Sequence, residues 1–286
     1  MTYLNEFIEN TKERLYQEGR NNQGDLMQII EYNDYDDIIV KFLDGGGYQV
    51  HTQYINFLKG GVRNQMHATH GYHGYIGSGK YQSEYKIDGK RVMEPCYKVW
   101  VQMHRRAENF DGEHPAYADV TIDKEWWCFQ NFAQWFYDNL YKIDDEVMCV
   151  DKDILIPGNR VYGPNSCLIV PNRINEIFKN GDKKSNAVDL PTGVTIRKDG
   201  SKIKYRARCN VRIGPGEYKS ISKTFNTVEE AYEFYKESKL DYINSVAEEY
   251  KEKIPKKVYE ALKNIYLPRR VKCPSRSFSR KLLDFK

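Results

Sequence analysis

CVDKDILIPGNRVYGPNSCLIVPNRINEIF, residues 149–178, is the stretch that decides the fold. It divides into strand, turn, strand and helix. Val150, Ile154 and Leu155 give residues 150–155 the apolar content of a first strand. Pro157, Gly158 and Asn159 make a turn, because proline fixes φ while glycine and asparagine accept positive φ. Residues 166–170 (SCLIV) are a second apolar run. Pro171 then opens a helix over residues 172–178, where the first N–H lacks an intrahelical partner in any case. The expectation is a small ββα unit.

Asp151-Lys152-Asp153, then Gly158-Asn159 with Tyr162-Gly163-Pro164-Asn165-Ser166-Cys167, then Asn172 and Asn175, resemble the HNH nuclease module carried by many phage proteins. Upstream, Tyr97, Trp100, Met103 and Arg106, then Pro115, Tyr117, Val120, Trp126, Phe129, Phe132 and Trp135 resemble the segment that precedes the module in that family. The resemblance implies metal-assisted cleavage of DNA. That chemistry needs a histidine base on the first strand, and a further His or Asn with an acidic residue to hold the metal. No histidine follows His114. A carboxylate with an ordinary pKa of about 4 is a poor base at neutral pH. Asp151, Asp153, Asn165 and Asn175 are therefore read as a degenerate site. No catalytic residue, metal or cofactor is expected. An active metal-dependent homing-type endonuclease using Asp151 and Asp153 is the second alternative.

Residues 180–189 (NGDKKSNAVD) are polar and read as a linker. After them, Tyr205, Ala207, Cys209, Val211 and Ile213 alternate with Lys204, Arg206, Arg208, Asn210 and Arg212. Alternation puts the apolar set on one face of a strand and the basic set on the other. Thr227 and Glu230 form a capping box that starts a helix, whose inner face carries Ala231, Phe234, Tyr235 and Ser238. Together with Thr192-Gly193-Val194 and Thr224-Phe225, these features resemble the ethylene-response-factor type of DNA-binding domain. That family implies a three-stranded sheet backed by one helix, with basic strand residues meeting phosphates and base edges. Two departures stand out. Lys223 occupies the place of the family's glycine before Thr-Phe, and Gly214-Pro215-Gly216 is an unusual loop. The helix continues through residues 241–267 with a break at Pro255, and residues 268–286 form a basic arm that includes Arg269 and Arg270. The expected binding residues are Arg197, Lys204, Arg206, Arg208, Arg212, Arg269 and Arg270.

Toward the N-terminus, Leu4, Phe7, Ile8, Thr11 and Leu15 recur at helical spacing, so residues 1–20 read as one helix stopped by Gly19. Residues 38–43 and 48–51 flank Asp44-Gly45-Gly46-Gly47 and read as a hairpin. His67, His70 and His73 would share one face of a helix. Gly71, Gly74 and Gly77 point instead to a loop that packs or meets a partner, with no acidic residue close by in the sequence. Trp126, Trp127, Phe129, Phe132, Trp135 and Phe136 form a stripe expected to be core rather than a base-stacking surface.

The chain has 286 residues, 40% hydrophobic, enough to bury several small cores. Its 23 tyrosines suit a binding surface, since tyrosine joins a broad apolar contact to a polar tip. No apolar run is long enough to span a membrane, and residues 1–15 lack a signal core. The six cysteines show no paired spacing, which argues against a zinc ribbon or a disulfide scaffold. The host bacterial cytosol is the expected location. Residues 191–286 carry 23 basic against 12 acidic side chains, a balance of +11, while residues 1–190 carry −7. Only residues 191–286 favour an acidic partner. The expected class is α+β. The expected parts are an N-terminal α+β domain (1–95), a helical unit with the HNH-like module (96–180), a sheet-plus-helix domain (188–267) and the arm (268–286). The expected function is non-catalytic binding of DNA or a DNA-processing complex. The first alternative is a phage inhibitor that docks on a host defence nuclease complex, perceived from size and character as similar to proteins that block the Gabija system. It would act through protein contact alone, and a homo-oligomer is expected to be possible for it.

Overall fold

The computed structural model describes residues 11, 13–44, 46–108, 119–178, 190–200, 202–214 and 216–265. The chain is α+β and divides into two compact units. One holds Met1–Asp138 with Arg160–Pro164, and the other Asn139–Asn159 with Asn165–Lys286. Among the described residues no helix is long and apolar enough to cross a membrane.

The first unit opens on an antiparallel meander of β1 (Glu18–Arg20), β2 (Leu26–Tyr32), β3 (Ile38–Phe42) and β4 (Gln49–Thr52). Met27, Ile29, Ile38, Val40 and Phe42 alternate inward and pack under Tyr54 and Phe57 of α1 (Tyr54–Leu58). The expected hairpin is present as β3 and β4. The expected helix over residues 1–20 is corrected at its end, and its first ten residues lie outside the described ones. The Leu15 N–H bonds the Thr11 carbonyl at 3.0 Å. Tyr16 then takes φ +67°, the left-handed position that ends a helical turn. Gly19 stops nothing. It sits in β1, where an added Cβ would lie 3.2 Å from the Phe57 ring.

Two small hairpins follow, β5 (Ala68–His70) with β6 (Gly74–Tyr75) and β7 (Glu84–Ile87) with β8 (Lys90–Met93). The histidine segment is thus a minimal hairpin rather than a loop. The aromatic stripe lies on the 3-10 turn Lys124–Trp127 and on α3 (Phe129–Asn139), and Trp100 of α2 (Pro95–Glu108) packs against its Phe129. Trp100, Trp126, Phe129 and Phe132 are fully buried, as a core reading requires. The Trp100 indole N–H donates to the Trp126 carbonyl at 2.7 Å, which places a polar tip that would otherwise be costly to bury. Strand β9 (Thr121–Ile122) pairs in parallel with β11 (Val161–Tyr162), the segment by which the chain re-enters this unit.

The second unit holds β10 (Met148–Asp151), β12 (Leu168–Pro171) and α4 (Asn172–Phe178), then β13 (Val194–Asp199), β14 (Lys202–Gly214), β15 (Glu217–Phe225), α5 (Val228–Tyr250) and α6 (Lys256–Lys263). Helix α5 begins with the expected capping box. The Thr227 hydroxyl accepts the Glu230 N–H at 3.2 Å, and the Glu230 carboxylate accepts the Thr227 N–H at 3.3 Å. Its 23 residues exceed what the sheet needs. The first half covers the sheet through Ala231 and Tyr232. The second half joins Ile243, Val246, Ala247 and Tyr250 to Ile154, Leu168, Val170, Ile174 and Ile177. One core therefore runs from the ββα segment to α6, across the boundary drawn near residue 180 from the sequence. The linker at 180–189 and the arm at 268–286 lie outside the described residues.

Candidate nucleic-acid interface

The expected ββα order is present, and β10 pairs antiparallel with β12, Asp151 opposite Leu168. The first strand is shorter and earlier than residues 150–155. Asp151 is the cause. Its Oδ1 accepts the N–H groups of Asp153 and Ile154 at 2.8 and 2.7 Å, which turns the chain out of the ladder. The turn is tied a second time. Lys152 Nζ donates to Asp153 at 2.8 Å and to the Asn159 carbonyl at 3.0 Å, and the Asn159 amide donates back to the Lys152 carbonyl at 3.0 Å. Asp151 is buried, and that burial raises its carboxyl to a pKa of about 6 against the pull of the two N–H donors. Asp153 is spent on Lys152. Asn165 is exposed, and Asn175 is half-buried on α4. Among the described residues no group of three or more His, Cys, Asp or Glu is arranged to hold a metal.

The histidines of residues 67–73 each have a separate partner. His67 Nδ1 lies 2.8 Å from Asp25, an acidic neighbour 42 residues back that spacing along the chain cannot reveal. His70 meets the Tyr97 hydroxyl at 3.0 Å, and burial lowers its pKa. His73 stacks on Trp127 at 4.1 Å.

The C-terminal sheet runs β13-β14-β15, antiparallel throughout. Its inner face buries Val194, Ala207, Cys209 and Val211. Gly193 makes the close approach to α5: it has φ +83°, and a Cβ there would stand 2.1 Å from the Tyr235 ring. Lys223 lies on the helix side with its ammonium 5.5 Å from the Phe225 ring and 5.9 Å from Phe234.

The outer face carries most of the expected binding residues. Register places Arg206 between Thr195 and Thr224, Arg208 opposite Ser222, and Asn210 opposite Ser220. Arg206 donates to the Ser222 hydroxyl at 3.0 Å, and Arg208 to Ser220 at 2.9 Å and Asn210 at 3.2 Å. Both guanidiniums are thus steadied by neutral oxygens and keep their charge uncompensated by these contacts. Arg197 lies directly opposite Lys204, a like-charged pair that costs the sheet stability. Lys204 is drawn toward Asp199 at 3.5 Å.

Arg212 does not join this face, contrary to expectation. The register shifts between Arg212 and Gly214, and the side chain turns to Glu176 of α4 at 3.4 Å and to the Gly214 carbonyl at 3.0 Å. The same bulge leaves Ile213, expected to be inside, 64% exposed. Arg269 and Arg270 lie outside the described residues. The hydroxyl row Ser220, Ser222 and Thr224 alternates along β15 and is legible in the sequence.

No family model, no curated protein and no solved structure matches the chain.

Proposed function

We propose that the protein binds DNA through the outer face of β13–β15, and that the HNH-like segment is a structural unit that does not cut. The observation that carries this is the arrangement of Arg197, Lys204, Arg206 and Arg208. Arg197 stands opposite Lys204, which leans toward Asp199, and the two central arginines are oriented by serine hydroxyls rather than by carboxylates. A sheet that spends stability to concentrate positive charge suits a polyanion. Serine, threonine and asparagine between the arginines add donors and acceptors for phosphate oxygens and base edges. The absence of histidine after His114 and the use of Asp151 as a turn former both support a non-cutting role.

The test is binding of a labelled DNA duplex across a salt series. Each phosphate neutralised contributes a slope of about −0.9 in log K against log[salt], so four cations give about −3.6. Arg206→Ala with Arg208→Ala makes the slope shallower by about 1.8. Duplex binding with an unchanged slope in the double variant would overturn the assignment. In parallel, duplex incubated with Mg²⁺, Mn²⁺ or Zn²⁺ is expected to stay intact.

A further inference from the structure

We propose that the β7–β8 hairpin is a self-association surface on which a second copy of this chain adds its own β7 edge to edge. Among the described residues this hairpin pairs with no other strand. All four residues of β7 are exposed. Its turn is well formed, with Asp88 at φ +49° and Gly89 at φ +76°, the pair of positive angles of a type I′ turn. An isolated two-stranded hairpin is marginal in water, and a free edge is a template for another strand.

The two faces of the hairpin differ in character. Register pairs Tyr85 with Val92 and Ile87 with Lys90 on one face, and Glu84 with Met93 and Lys86 with Arg91 on the other. The first face leaves Ile87 50% and Tyr85 36% exposed, and the second leaves Met93 49% exposed beside its charges.

Hydrogen-bond direction fixes how a second copy adds. The Glu94 N–H donates to the Ser83 carbonyl at 2.9 Å, so residues 83 and 94 form a bonded rung. Stepping by two, Tyr85–Val92 and Ile87–Lys90 are the next bonded rungs. The N–H and C=O groups of Glu84 and Lys86 therefore point to the free edge. An antiparallel two-fold pairing through these groups allows three registers within β7. One sets Glu84 against Glu84 of the other copy, one sets Lys86 against Lys86, and one sets Glu84 against Lys86 at two symmetric rungs. The last pairs opposite charges at both rungs and brings the two Tyr85 side chains together on the axis. A lysine alone on an edge repels a second strand. Glu84 two residues earlier converts that block into a self-complementary pattern, as an isologous interface requires.

The experiment is sedimentation of the full chain over a dilution series, with Glu84→Lys and Lys86→Glu. The wild type is expected to pass from dimer to monomer on dilution. Each variant alone places like charges at both rungs and associates about tenfold or more weakly. Mixed one to one, the variants pair lysines with glutamates and recover the dimer. Unchanged tryptophan emission and circular dichroism check that the variants fold. A wild type that stays monomeric throughout, variants that dimerise as the wild type does, or a mixture that stays monomeric would each overturn the proposal.

Discussion

Replacement of Asp151 by asparagine separates a structural carboxylate from a catalytic one. Asp151 is buried, its Oδ1 takes two backbone N–H groups, and burial lifts its pKa from 3.8 to about 6. The folded state therefore holds the proton more tightly than the unfolded state between these values. As pH rises through that window, the folded state must ionise a buried group, and stability falls. At 1.36 kcal/mol per pKa unit, a rise to about 6 costs roughly 3 kcal/mol once both states are ionised. An asparagine keeps the acceptor for both N–H groups and carries no charge. Asp151→Asn is thus expected to stabilise by about 3 kcal/mol near pH 8 and by about 1.5 kcal/mol near pH 5. Urea unfolding followed by far-ultraviolet circular dichroism is the assay. All four tryptophans lie between residues 100 and 135, so their emission reports the other unit and serves as a control. A variant less stable than the wild type near pH 8 would refute the reasoning, because the folded structure would then be using the negative charge.

Two further predictions concern other sites. His104 is buried against Trp100, and burial lowers its pKa to about 4. A depressed histidine contributes stability above its unfolded pKa of about 6.5 that is lost as pH falls toward 4, about 2 kcal/mol by pH 5. Tryptophan emission in urea should show that loss in the wild type and a flatter profile in His104→Gln; equal profiles would count against it. Gly193→Ala forces a Cβ into Tyr235 at a positive φ, with an expected loss of about 2–4 kcal/mol. A loss below about 1 kcal/mol in circular dichroism melts would show that the strand and α5 separate at little cost.

Much of the C-terminal fold was legible because its signals are local. Alternation from Tyr205 to Val211 and the Thr227–Glu230 box each act within a few residues and are found in place, while the break expected at Pro255 begins earlier, after Tyr250, with Pro255 capping the next helix. Where the structure departs from local signals, a distant or side-chain partner intervenes. Val150 to Leu155 has strand composition, but Asp151 bends the chain by capturing two N–H groups. Arg212 belongs by alternation with Arg206 and Arg208, but its side chain is held by Glu176 and the Gly214 carbonyl. Gly19 looks like a helix stop, yet it is the strand residue that leaves room for Phe57.

By itself the sequence determined the α+β class, the strand–helix order at both ends of the second unit, and the line of basic residues on β14. Those follow from periodicity and capping, which are properties of neighbouring residues. Tertiary structure alone decided which of the basic residues share a face, that Asp25 meets His67, and that one core joins the ββα segment to the far half of α5. Those depend on register and on contacts tens of residues apart. Periodicity carries no record of such contacts, because many pairings bury the same apolar set and packing chooses among them.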